Sequence, residues 1–220
     1  MTADFFEAVR KGDQQAIDDA LARNPGLLRS RDQAGRTPIL VAAYAGLPRL
    51  SARLADRVGS EGLGLFEAAA AGDAAAVRQR LGEGDALEDR SEDGYTPLHF
   101  AAWFGRLEVA RLLLGRGADP NSVAQNDSRV TPLHSAVTSR HRDLAALLLA
   151  LGASSNVVQK DGYTPLHLAA RNGDEDVVDL LLLRGADPTR PADDGKTPIH
   201  LAEENGFGAL AELLREATRG

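Results

Sequence analysis

The tetrapeptide Thr-Pro-(Leu/Ile)-His occurs four times, beginning at Thr96, Thr131, Thr164 and Thr197, at intervals of 35, 33 and 33 residues. A recurrence at this period restricts the chain to architectures that stack one supersecondary unit upon another. Nine residues after the Thr stands a glycine in three copies, Gly105, Gly173 and Gly206, while Arg140 holds that slot in the copy beginning at Thr131. A leucine-rich run follows, closed in two copies by Gly-Ala-Asp (Gly117 to Asp119 and Gly185 to Asp187).

The same ruler extends upstream. Thr37-Pro38-Ile39-Leu40 fits with Gly46, and Leu63-Gly64-Leu65-Phe66 with Gly72 lies 33 residues before Thr96. Gly12 stands 34 residues before Gly46, with Asp4-Phe5-Phe6 in place of most of the motif. The expected organisation is one domain of seven units over 1–220: 3–36, a truncated 37–62, 63–95, 96–130 with a longer loop, 131–163, 164–196 and a C-terminal cap, 197–220.

Each unit reads as two short helices and a turn. Thr is a good N-cap and Pro suits the first helical position, so helices start at Thr96-Pro97, Thr131-Pro132, Thr164-Pro165 and Thr197-Pro198. Gly105 ends the first helix of its unit, and Val109, Leu112 and Leu113 at i, i+3, i+4 give the second an apolar stripe. Residues 118–130, rich in Asp, Asn and Ser, read as an extended turn to the next unit. So short a unit cannot enclose its own core. Three or four Leu/Val side chains per junction, at about 1.5–3 kcal/mol each before chain entropy, make several adjacent units necessary. The polar ends, Asp4 and Glu7 at one and Glu203, Glu204, Glu212 and Glu216 at the other, suit caps.

Composition removes most chemistry. The absence of cysteine excludes disulfide scaffolds, thiolate metal sites and cysteine nucleophiles. A net charge of -7, with no basic run, argues against nucleic acid. The amino terminus lacks the apolar stretch of a signal peptide and nothing approaches the roughly 20 apolar residues of a membrane span, so a cytoplasmic protein with no membrane partner is expected. His99, His134, His167 and His200 share one repeat slot, about 10 Å from rung to rung, too far to share a metal ion. Three residues after an N-cap, each imidazole should instead bind loop backbone. His141 is expected at the surface. Asp193-Asp194, Glu203-Glu204 and Asp174-Glu175-Asp176 read as solvated helix-end acids, and no nucleophile motif or phosphate-cradling loop occurs. No catalytic set, cofactor or metal is expected.

Asp93-Gly94-Tyr95-Thr96-Pro97-Leu98-His99-Phe100-Ala101-Ala102, continued by Gly117-Ala118-Asp119-Pro120-Asn121, resembles an ankyrin repeat, and Asp161 to Ala170 is nearly as close. The resemblance covers essentially the whole chain. It implies an all-α solenoid of stacked helix-turn-helix units with projecting hairpin-like loops, and a concave side that docks proteins. Two departures stand out. The interval from Thr37 to Leu63 is only 26 residues, so the row of loops should be interrupted around 56–62. The interval of 35 after Thr96 puts two extra residues into the loop 123–130, which should protrude. Residues 65–73 also resemble 5–13, as in the opening unit of an array, so the chain is either one continuous stack, the simpler reading, or two units followed by five.

Binding should rest on aromatic and polar residues at the ends of the first helices. Trp103 and Phe104 hold the two slots before Gly105, Tyr44 a matching slot, Thr138 and Ser139 those of the fifth unit, and Arg171 and Asn172 those of the sixth. Exposed Trp, Tyr and Arg are typical interface anchors. The competing role for Trp103 and Phe104 is packing on neighbouring units; for Tyr95 and Tyr163 loop packing is favoured. Gln125, Asn126, Asp127, Ser128 and Arg129 form either a recognition finger or a tolerated insertion. The expectation is a monomeric, non-enzymatic module for a protein or peptide partner; the alternatives are a self-associating stack and a small-molecule or catalytic groove.

Overall fold

The computed structural model describes residues 2–219. Among them the regular elements are helices, arranged as successive pairs: α1 (Thr2–Lys11) with α2 (Gln14–Arg23), α3 (Pro38–Tyr44) with α4 (Pro48–Val58), α5 (Leu65–Ala71) with α6 (Ala74–Glu83), and α7 (Pro97–Trp103) with α8 (Leu107–Gly115). There follow α9 (Pro132–Thr138) with α10 (Arg142–Ala150), α11 (Pro165–Asn172) with α12 (Glu175–Leu183), and α13 (Pro198–Glu204) with α14 (Gly208–Ala217). The first helices pack in chain order, α1 on α3, α3 on α5, and so on to α13. Alanines at their contacts, such as Ala68, Ala69, Ala101, Ala102, Ala169 and Ala170, are fully buried and let the backbones approach.

Thr and His act together at the helix starts. The Thr131 N–H donates to His134 Nδ1 at 3.2 Å, and the imidazole Nε2 lies 3.3 Å from the Tyr163 carbonyl at the foot of the next unit. His99 reaches the Val130 carbonyl at 3.0 Å and His167 that of Lys196 at 3.1 Å in the same way. Because Nδ1 accepts, the proton must sit on Nε2, so these rings are neutral donors. Burial holds His99 and His134 down to about 4 and lowers His167 as well.

Between units the chain turns through hairpins, closed at their feet by the backbone bonds Asp32 N to Arg36 O, Ser91 N to Tyr95 O, Ala124 N to Val130 O, Gln159 N to Tyr163 O and Ala192 N to Lys196 O, at 2.8–3.0 Å. The third encloses two more residues than the others, which is where the 35-residue interval goes. Downstream hairpins are also joined to one another, Gln125 N to Gly94 O, Lys160 N to Ser128 O and Asp193 N to Asp161 O. Gly94 has φ +80°, and a Cβ there would meet the Gln125 carbonyl oxygen at 2.5 Å, so both conformation and contact demand glycine.

The region between α4 and α5 is built differently. No hairpin closes there; a short 3-10 turn, Ser60–Gly62, packs against both α4 and α6. Leu40 and Phe66 hold the slots that histidine fills downstream. Thr37 Oγ1 is consequently buried without a partner, since no imidazole returns to it.

Candidate functional site

The aromatic residues converge on the first helices of units 2 to 4. Phe100 is buried on α7, with Phe66 at 5.7 Å between ring centroids, Tyr95 edge-on at 6.1 Å, Tyr44 edge-on at 6.3 Å and Phe104 stacked at 6.3 Å. Tyr44 also meets Phe104 edge-on at 5.7 Å. Such edge and offset geometries match the ring quadrupole. Tyr44 belongs to unit 2 and Phe104 to unit 4. They touch because Ala70 and Ala71 hold the intervening slots and the loop that would follow unit 2 is missing.

The rest of the Tyr44 ring is also occupied. Arg36 lies over its face at 5.6 Å, and its hydroxyl donates to Asp93 at 3.4 Å. Burial first, and then the Asp93 carboxylate, push the phenol above its ordinary range. Trp103 differs from its neighbours: its side chain is left 39% exposed at the rim of an apolar cleft lined by Tyr44, Tyr95, Phe100, Phe104 and Ser135. The cleft measures about 80 Å³, well below the roughly 300 Å³ at which small-molecule sites begin, so it suits a single inserted side chain.

Sequence comparison agrees with this architecture. The family described as ankyrin repeats (3 copies) matches residues 5–124, 65–158, 121–192 and 151–219, overlapping stretches that together take in nearly the whole chain. The chain belongs to the ankyrin-repeat family. Such repeats generally mediate protein–protein interactions. Curated relatives include the human DNA-binding protein RFXANK, 36% identical over 66 residues, or 30% of this chain and 25% of the relative. Another is the protein VAPYRIN-LIKE of Medicago truncatula, 34% identical over 92 residues, or 42% of this chain and 19% of the relative. This chain thus matches a quarter or less of each relative's length.

Within the ankyrin frame the remaining sequence-selected residues separate into free and committed groups. Arg171 is exposed at the end of α11 and makes no hydrogen bond or close ion pair. Its neighbour Asn172 is committed, donating to the Val137 carbonyl at 2.9 Å across the junction. Thr138 and Ser139 are half-buried. In the long loop, Asn126 donates to the Asp93 carbonyl at 2.7 Å and accepts from Ser128, leaving Gln125, Asp127 and Arg129 facing solvent. That loop is held on both sides by backbone bonds, to Gly94 and to Lys160. His141 is not a free surface residue: it is half-buried, and its Nε2 lies 3.1 Å from the Trp103 carbonyl, fixing the end of the helix that carries the tryptophan. Arg36, Phe66, Tyr95 and Phe100 complete the aromatic assembly. In the sequence, Phe66 and Phe100 sit at positions that any first helix buries, so no local pattern marks them as one cluster. No helix among the described residues is long and apolar enough to cross a membrane.

Proposed function

We propose that this ankyrin array is a non-enzymatic scaffold that docks a protein or peptide partner on its concave side, the face formed by the ends of the first helices and the hairpins. The carrying observation is Trp103, the single tryptophan, exposed beside an apolar cleft while the rings around it are spent on one another. An indole already held by a rigid helix loses little entropy on docking and buries a large area. Thr138, Ser139, Arg171 and the exposed Gln125, Asp127 and Arg129 extend the contact toward the C-terminal units, while Phe104, Tyr44, Ser128, Asn126 and Asn172 hold that surface in shape.

This reading places the protein in the cytoplasm as a monomer acting through binding alone. The name of the human relative speaks of DNA; the surplus of seven acids here favours a protein partner. Affinity capture from native lysate, followed by titration of the captured partner, tests it. Trp103→Ala should weaken binding by about 2 kcal/mol or more with the melting temperature nearly unchanged. Undiminished affinity would remove Trp103 from the interface.

A further inference from the structure

The second helices, on the side away from the hairpins, carry features that docking on the concave side does not use. Helices α8, α10 and α12 pack side by side, so residues 35 and then 33 positions apart share a slot along them. One slot holds Arg111, Ala146 and Asp179: a base, a neutral residue and an acid on successive units. Arg111 and Asp179 are exposed and make no hydrogen bond or ion pair. The slot one turn further on holds Gly115, Ala150 and Leu183. A Cβ on Gly115 would meet nothing within 4 Å, whereas Leu183 is 80% exposed, more than any other large apolar residue described. Beside these slots Leu112, Leu147 and Leu180 are half-buried, one on each helix.

A lone exposed leucine needs no explanation, but here size and charge both change in step across α10. Base faces acid and empty space faces leucine at equal distances, one unit of about 10 Å, on either side of the middle helix. Such a surface is complementary to itself. A second copy laid back to back, with a two-fold axis along α10, sets unit 4 of each copy over unit 6 of the other. Arg111 of each copy then meets Asp179 of the other, and Leu183 of each enters the space at Gly115 of the other. On the axis Leu147 meets its own equivalent, with the small Ala146 and Ala150 allowing close approach. The remaining charges bound the contact. Glu108, Asp143 and Asp176 make the helix starts acidic, so the copies part there and touch toward the helix ends, while Arg184 is turned away onto the Leu149 carbonyl.

We infer that this outer face of α8, α10 and α12 pairs with a second copy of the chain. So few side chains fall short of the roughly 20–30 residues a side of stable complexes, so pairing is weak and the single chain is the dilute form. Pairing leaves both concave faces open, and its failure would leave the docking role of Trp103 untouched. Sedimentation equilibrium of the full chain tests it: from about 0.01 to about 1 mM the average mass should climb from one chain toward two. Leu183→Ser alters a side chain that stands in water in the single chain, and should weaken pairing at least tenfold. Arg111→Asp alone sets acid against acid, and Asp179→Arg alone sets base against base. Each enters the contact twice and should weaken pairing at least tenfold, whereas the two together in one chain should restore it. A mass of one chain at about 1 mM, pairing that survives Leu183→Ser, or a double variant no better than the single ones would overturn the inference.

Discussion

Residues 96–196 and residues 37–95 build the same unit from different interactions. Downstream, an imidazole joins each helix start to the carbonyl at the foot of the next hairpin, and successive hairpins exchange a backbone bond. Upstream, the hairpin that would receive an imidazole from the Leu40 slot is missing, Phe66 fills the slot of the next unit, and aromatic contacts from Tyr44 to Phe100 and Phe104 span the gap. The histidine slot of unit 2 thus follows its surroundings. At Leu40 it is apolar where no hairpin carbonyl follows, because a buried donor without an acceptor costs more than the bond returns.

Acid should separate the two regions most strongly. The unfolded histidines titrate near 6.5, whereas His99 and His134 do so at about 4 in the fold. Between those values the unfolded chain binds more protons, so stability is unaffected by these groups above pH 6.5 and falls as pH drops toward 4. By pH 4.5 the loss should be about 2–3 kcal/mol for each ring, confined to the downstream units. Urea titrations at pH 7 and 4.5 read it, and coincident midpoints would contradict it.

Phe100→Ala attacks the upstream bridge. A cost of about 3–5 kcal/mol is expected for so buried a ring, with the unfolding of the two regions becoming separately visible. A single unshifted transition would show that the aromatic contacts do not couple them. Exchanging the slot residues sharpens the comparison further. His134→Leu should cost about 1–3 kcal/mol by leaving the Thr131 N–H unpaired and the Tyr163 carbonyl with only its hairpin bond from Gln159, while Leu40→His should bring no gain. A stabilised Leu40→His would refute the rule proposed for the slot.

The smallest effect concerns the end of α9. Arg140 adopts φ +60° where other units carry glycine, Gly105 at +68° and Gly173 at +69°. Arg140→Gly should therefore stabilise by about 1 kcal/mol, read as a rise in melting temperature. A fall would mean that the side chain contributes more than its backbone costs.

The stacked helices, the Thr-Pro starts and the structural histidines were legible because each depends on residues a few positions apart, repeated. The 26-residue interval likewise pointed to the place without a hairpin. What no repeat slot reveals is contact between non-adjacent units: Tyr44 meets Phe104 only because unit 3 is alanine-rich and the loop that would follow unit 2 is missing. The same holds for Asn172, Asn126 and His141, whose polar side chains look available in sequence but are used across junctions. The burial of Glu67, which follows from the packing of α5 under its neighbours, is marked by no repeat slot either.

Residue-resolved amide exchange tests the two-region picture most directly. The account predicts that the Gln125, Lys160 and Asp193 amides, each bonded to the preceding hairpin, exchange about a hundredfold or more slower than the Glu92 amide, which bonds to no preceding hairpin. If all four exchange at one rate, the hairpin row is not joined downstream and open upstream, and the contrast drawn between the two regions fails.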